Sequence, residues 1–116
     1  MTSSNIQTYT FLQYTIIAGK NRQGNDEILR ESDPDDIWFH ISKSPSGHVI
    51  LKNPEQTPIN KIPKQVLKRC ACICKASTRT SEKNCEIIYT QLKNITLTDI
   101  LGQVTITNTS TKTFRL

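Results

Sequence analysis

The run Ile37-Trp38-Phe39-His40-Ile41-Ser42, followed closely by His48-Val49-Ile50-Leu51-Lys52, admits few folds. Alternate residues of a strand point to opposite faces. Ile37, Phe39, Ile41, Val49 and Leu51 therefore share one apolar face. Trp38, His40, Ser42, His48 and Ile50 share the other. Ser44-Pro45-Ser46-Gly47 reads as the turn between the two strands. With Ser42 opposite His48, His40 and His48 become diagonal neighbours, roughly 7–8 Å apart. Both of the chain's histidines and its only tryptophan thus fall on one sheet face.

The rest of the chain supplies partners for this hairpin. Thr8 to Leu12 and Tyr14 to Ala18 read as strands, being rich in Thr, Tyr, Ile and Phe. Asn25 suits an N-cap for a short helix through Asp26, Glu27, Ile28 and Leu29, with acidic residues in its first turn. Asp33-Pro34-Asp35-Asp36 is a turn, and residues 53–62 form a loop with two prolines. Pro63 opens a helix that runs to about Ser77. Cys85 to Leu92 is a strand, and Gln103 to Thr107 pairs with Thr111 to Arg115 in a closing hairpin. The expected fold is α+β: one small domain over residues 1–116, mostly antiparallel sheet packed on one main helix and a short one. Apolar residues make up only 35% of the chain, so the sheet is expected to be covered on one side, leaving a polar second face.

The helix over 63–77 carries the run Cys70-Ala71-Cys72-Ile73-Cys74. At about 100° per residue, Val66, Leu67, Cys70, Ala71, Ile73 and Cys74 share a face, while Cys72 points nearly the opposite way. These cysteines read as small core residues rather than as a metal site, and no metal or other cofactor is expected. Lys64, Lys68 and Lys75 line the helix's outer face, where they form either a solvated stripe or a track for phosphates. The net charge is +5, and residues 37–116 hold twelve basic and four acidic side chains. That balance suits a polyanionic partner. The longest apolar runs are about four residues, against the roughly twenty that a membrane-spanning helix needs. Met1-Thr2-Ser3-Ser4-Asn5 is not a basic stretch leading into an apolar one, so no secretory leader is read. The expectation is an intracellular, cytoplasmic or nuclear protein with reduced thiols and no membrane insertion.

Several motifs together resemble the NFACT-R domain, the RNA-binding module of the NFACT proteins of ribosome quality control. These are Gly19-Lys20-Asn21 with Asn25-Asp26, then Asp36-Ile37-Trp38-Phe39-His40-Ile41, then Ser46-Gly47-His48-Val49. The similarity continues through Ile62-Pro63-Lys64-Gln65-Val66-Leu67, Ile88-Tyr89-Thr90 and Gly102-Gln103-Val104, covering roughly residues 9–107. It looks most like the form of the domain that stands alone. Many relatives have Gly-Ser-His where this chain has Ser46-Gly47-His48. The sequence ends at Leu116 without the charged helical extension of the stand-alone form, so contacts made through that extension are not expected.

The resemblance implies RNA as the partner, with DNA as a variant and with tRNA or the ribosome as its setting. The residues expected to carry binding are Lys20, Asn21, Arg22, Asn25, Trp38, His40, His48, Lys64, Lys68 and Lys75. The indole and imidazoles would stack on bases, and the cations would hold phosphates. Two other readings stay open. One is an RNA-processing enzyme using His40 and His48 as an acid–base pair with Asp26 or Asp36. Against it, the sequence shows no nucleophile motif or phosphate-cradling loop. The other is a protein-interaction module.

Overall fold

A computed structural model describes residues 4–42, 46–77, 84–106 and 111–116. In chain order the strands and helices are β1 (Ile6–Phe11), β2 (Tyr14–Gly19), α1 (Arg22–Glu31), β3 (Ile37–Ile41), β4 (Val49–Leu51), α2 (Lys64–Ser77), β5 (Glu86–Gln91), β6 (Ile95–Leu97), β7 (Val104–Ile106) and β8 (Lys112–Arg115). Six strands form one antiparallel sheet in the order β1-β2-β4-β3-β5-β8, and β6 and β7 form a separate two-stranded sheet. The α+β class is as the sequence implied.

The apolar alternation builds two cores. On one face Ile37, Phe39, Ile41, Val49 and Leu51 pack under α2, which buries Val66, Leu67, Cys70, Ala71 and Cys74. Cys72 is exposed, as the helical spacing requires. The Pro63 carbonyl accepts from the Val66 and Leu67 amides at 3.0 and 3.3 Å, which starts the helix one residue later than the sequence suggested.

The second face is not the open polar surface expected. Trp38 and Ile50 pack there with Ile28 and Leu29 of α1, and Ile17, Ile88, Ile95, Leu97 and Val104 close around them. Ile17, Trp38, Ile50 and Ile88 on this face are apolar, so leaving them wet would forfeit roughly 25 cal/mol per Å². The layers are therefore α2, the main sheet, and then α1 with the β6–β7 hairpin.

One further expectation changes. The segments around 104–106 and 112–115 do not pair with each other. β7 pairs with β6, where Val104 lies opposite Leu97, and β8 extends the main sheet beside β5. Phe114 decides the second pairing by stacking on Tyr89, which stacks on Phe39, at centroid distances of 5.2 and 5.3 Å. The turn at 44–47 lies partly outside the described residues. Ser46 Oγ accepts from the Ile41 amide at 3.1 Å, taking up the last donor of β3.

Candidate nucleic-acid interface

The Gly19–Asn25 loop is built by close approach. An added Cβ on Gly19 would lie 2.1 Å from Asn25 Oδ1, and one on Gly24 would lie 1.9 Å from the Asn5 carbonyl. Only glycine lets these backbones meet. Asn21, not Asn25, is the N-cap of α1: its Oδ1 accepts from the Gly24 amide at 2.8 Å. The helix therefore starts at Arg22, earlier than expected, and its first turn holds no acidic residue. Asn25 is buried inside the helix, and its Oδ1 accepts from the His48 amide at 3.0 Å. The Gly19 amide in turn donates to the His48 carbonyl at 3.0 Å. Asn25 thus ties the start of α1 to the β3–β4 hairpin, Asn21 caps the helix and donates to Asn5 Oδ1, and Lys20 and Arg22 are exposed beside them.

The β3–β4 register places Trp38 opposite Ile50 and Phe39 opposite Val49, which sets His40 directly across from His48. The expected pairing was shifted by two residues, a shift that keeps every side chain on its face. The two imidazole centroids are 4.7 Å apart rather than diagonal. Trp38 Nε1–H donates to His48 Nδ1 at 2.8 Å, so the His48 proton sits on Nε2. The Gly102 backbone hydrogen-bonds the same ring. Burial, with His40 close by, pushes the His48 pKa down to about 3. Burial also lowers that of His40, whose Nδ1 lies 2.7 Å from the Ile41 carbonyl. Both rings are neutral near pH 7.

These contacts revise the stacking platform. Trp38 is 1% exposed and His48 3%, so neither offers a face to a ligand. Only His40 is partly open, and one of its faces is taken by the Trp38 indole, 5.6 Å away and inclined by 11°. His40 lies in a cleft of about 520 Å³ between the main sheet and the β6–β7 hairpin. Arg22 stands at this cleft, with Leu101 and Gln103 from the hairpin loop. Gly102, at φ +78°, packs against the Arg22 backbone, where an added Cβ would meet the Arg22 carbonyl at 3.0 Å. A second depression of about 280 Å³ adjoins Lys20, Arg22, Gly47 and Ser77. The Leu101–Gln103 loop is a part of the site that the sequence marks only through the motif Gly102-Gln103-Val104, with no binding role attached.

The aspartates of the acid–base reading are engaged elsewhere. Asp36 is fully buried at the start of β3 and accepts from Lys52 Nζ at 2.6 Å and from the Asn53 and Asp33 amides at 2.7 and 2.9 Å. His40 lies four positions further along the chain, about 13 Å away in an extended strand. Asp26 pairs with Arg30 at 2.7 Å. Neither lines the histidine cleft.

The α2 lysines do not join this site. α2 covers the opposite face of the sheet. Lys64 and Lys68 are exposed there, and Lys75 Nζ donates to the Leu116 carbonyl oxygen at 2.6 Å. Ser77, at the end of α2, reaches the Gly19 loop, and Lys64 lies thirteen residues back, about 20 Å along the helix. Among the described residues, no group of three or more His, Cys, Asp or Glu side chains is placed to hold a metal ion. Among the same residues, no helix is long and apolar enough to cross a membrane.

Comparison with known proteins places this geometry in a family. The model for the NFACT protein RNA binding domain matches residues 5–108. Coiled-coil domain-containing protein 25 of Mus musculus is 38% identical over 96 residues, covering 81% of this chain and 45% of the relative. Protein JLP2 of Saccharomyces cerevisiae is 34% identical over 87 residues, covering 71% of this chain and 42% of the relative. The chain thus spans less than half the length of these relatives. The structure of the C-terminal part of the fibronectin/fibrinogen-binding protein from Streptococcus suis has the same fold, with a TM-score of 0.82 at 20% identity over all of this chain and 46% of that one. With its glycine–asparagine loop and its Trp–His hairpin inside the matched span, the chain belongs to the NFACT RNA-binding domain family.

Proposed function

We propose that this chain is a non-catalytic RNA-binding module whose contact surface is the Gly19–Asn25 loop together with the His40 cleft. The observation that carries this reading is the placement of Lys20 and Arg22. Both are exposed where β2 passes into α1, a junction tied to the β3–β4 hairpin by the Gly19–His48 backbone bond, beside two adjoining depressions. Cations held on a fixed backbone can neutralise successive phosphates without a large ordering cost. The family points to RNA in general, and the specific setting proposed is tRNA or ribosome-associated RNA in the cytoplasm. The neutral histidines and the engaged aspartates favour binding over acid–base chemistry.

The test is RNA affinity measured across a salt series for the unaltered chain and for Lys20→Ala with Arg22→Ala. The double variant is expected to bind more weakly, with the salt slope shallower by about 0.7 to 0.9 for each lost phosphate contact. An unchanged slope removes Lys20 and Arg22 from the interface. A DNA strand of equal length, run in parallel, reports whether the surface distinguishes the two nucleic acids.

A further inference from the structure

We infer that the 520 Å³ cleft at His40 is a pocket for a single unstacked nucleobase, so that the chain prefers single-stranded or looped RNA to an unbroken duplex. The inference rests on the RNA-binding reading and specifies what enters that site.

The volume lies within the range of about 300–1,000 Å³ found for small-ligand pockets. Its composition suits a flat aromatic ring with a polar edge. Trp38 and His40 already form a near-parallel pair, with the indole on the buried side. A base on the open side of the imidazole would extend that stack by one ring. Leu101 and Ile106 stand at the cleft, and they are two of the chain's five large exposed hydrophobic side chains among the described residues, 49% and 37% exposed. Apolar side chains left in water beside an aromatic floor are stabilised when a base displaces that water.

The polar groups are placed for an edge. With His40 Nδ1 bonded to the Ile41 carbonyl, the neutral ring keeps Nε2 as an acceptor, and Gln103 and Ser42 line the same cleft. Arg22 stands at the cleft and Lys20 at the adjoining depression, where the phosphates on either side of a splayed base would lie. A base inside a duplex is hidden between its neighbours, so only an unpaired or extruded one can enter.

The experiment compares three fluorescently labelled RNAs of equal length by anisotropy: a single strand, its blunt duplex, and the same strand made entirely of abasic residues. The single strand is expected to bind about tenfold tighter than the other two. Leu101→Ala and His40→Ala should reduce single-strand affinity towards the abasic level, whereas His40→Phe, which keeps an aromatic face, should retain most of it. Thermal melts of each variant separate lost binding from lost folding. Lys20→Ala with Arg22→Ala should weaken all three RNAs alike. If the three RNAs bind equally while the cation variant still weakens them, the pocket is wrong and the RNA-binding surface stands. If none of the three binds, both readings fall.

Discussion

The indole N–H of Trp38 donates to Nδ1 of His48 across 2.8 Å, with both side chains buried. This bond fixes which nitrogen of His48 carries the proton and leaves the other to the Gly102 backbone, so one interaction links the main sheet to the β6–β7 hairpin. Trp38→Phe keeps an aromatic ring against His40 but strands the buried acceptor. It should cost about 1–3 kcal/mol in chemical denaturation. Trp38→Ala adds a cavity and should cost about 3–5 kcal/mol. A Trp38→Phe protein as stable as the parent would show that the bond contributes nothing.

The depressed pKa of His48 makes stability depend on pH in a defined direction. The folded ring stays neutral down to about pH 3, while the unfolded ring takes up a proton below its ordinary value of 6.5. The unfolded state therefore binds more protons within that window, and stability falls as pH drops through it. The slope from this residue is about 1.4 kcal/mol per pH unit at most. His40, also lowered, acts in the same sense. Melting temperatures between pH 7.5 and 4.5 test this, and the slope should flatten in His48→Gln. A parent protein whose melting temperature is level across that range would contradict the neutral, buried imidazole.

Gly19→Ala forces a methyl group to within 2.1 Å of Asn25 Oδ1 and 2.5 Å of the Asn25 amide nitrogen. Destabilisation of several kcal/mol is expected, in the class of overpacked sites. Asn25→Ala leaves the His48 amide without its acceptor and should cost about 1–3 kcal/mol. Because the two residues touch, the double variant should be less unstable than the sum of the singles. Only partial relief is expected, since the clash with the Asn25 backbone remains. Additive losses would mean that the side-chain contact is not the cause.

Lys64 and Lys68 provide a negative control drawn from the fold. They stand on the outer side of α2, across the sheet from His40. Replacing both by alanine should change RNA affinity by less than about threefold, against a larger loss for Lys20 and Arg22. Equal losses from the two pairs would mean that the RNA wraps both faces of the sheet.

Much of this arrangement is legible along the chain. The period-two alternation of residues 37–41 and 48–51 assigns every side chain to its face, and α2 announces its buried stripe and the outward Cys72. A two-residue slip in the hairpin goes undetected by that argument, because it preserves the alternation. Only the observed pairing of Trp38 with Ile50 brings the imidazoles face to edge. Asn25 reads as a cap because caps and buried bridging asparagines use the same amide. The difference is set by where His48 arrives from another strand.

The α+β class, the two faces of the central hairpin and the buried side of α2 follow from the sequence alone, because each is a matter of local periodicity, whereas local rules name Asn25 as the cap of α1 and the folded chain uses Asn21. The tertiary structure decides what those features are for. It covers the second face with α1 and the β6–β7 hairpin, which buries Trp38 and His48 and leaves His40, of these three rings, the one partly open to the cleft. It also puts the lysines of α2 on the far side of the sheet. These outcomes depend on contacts between residues tens of positions apart, and no local pattern encodes which apolar surface will meet which.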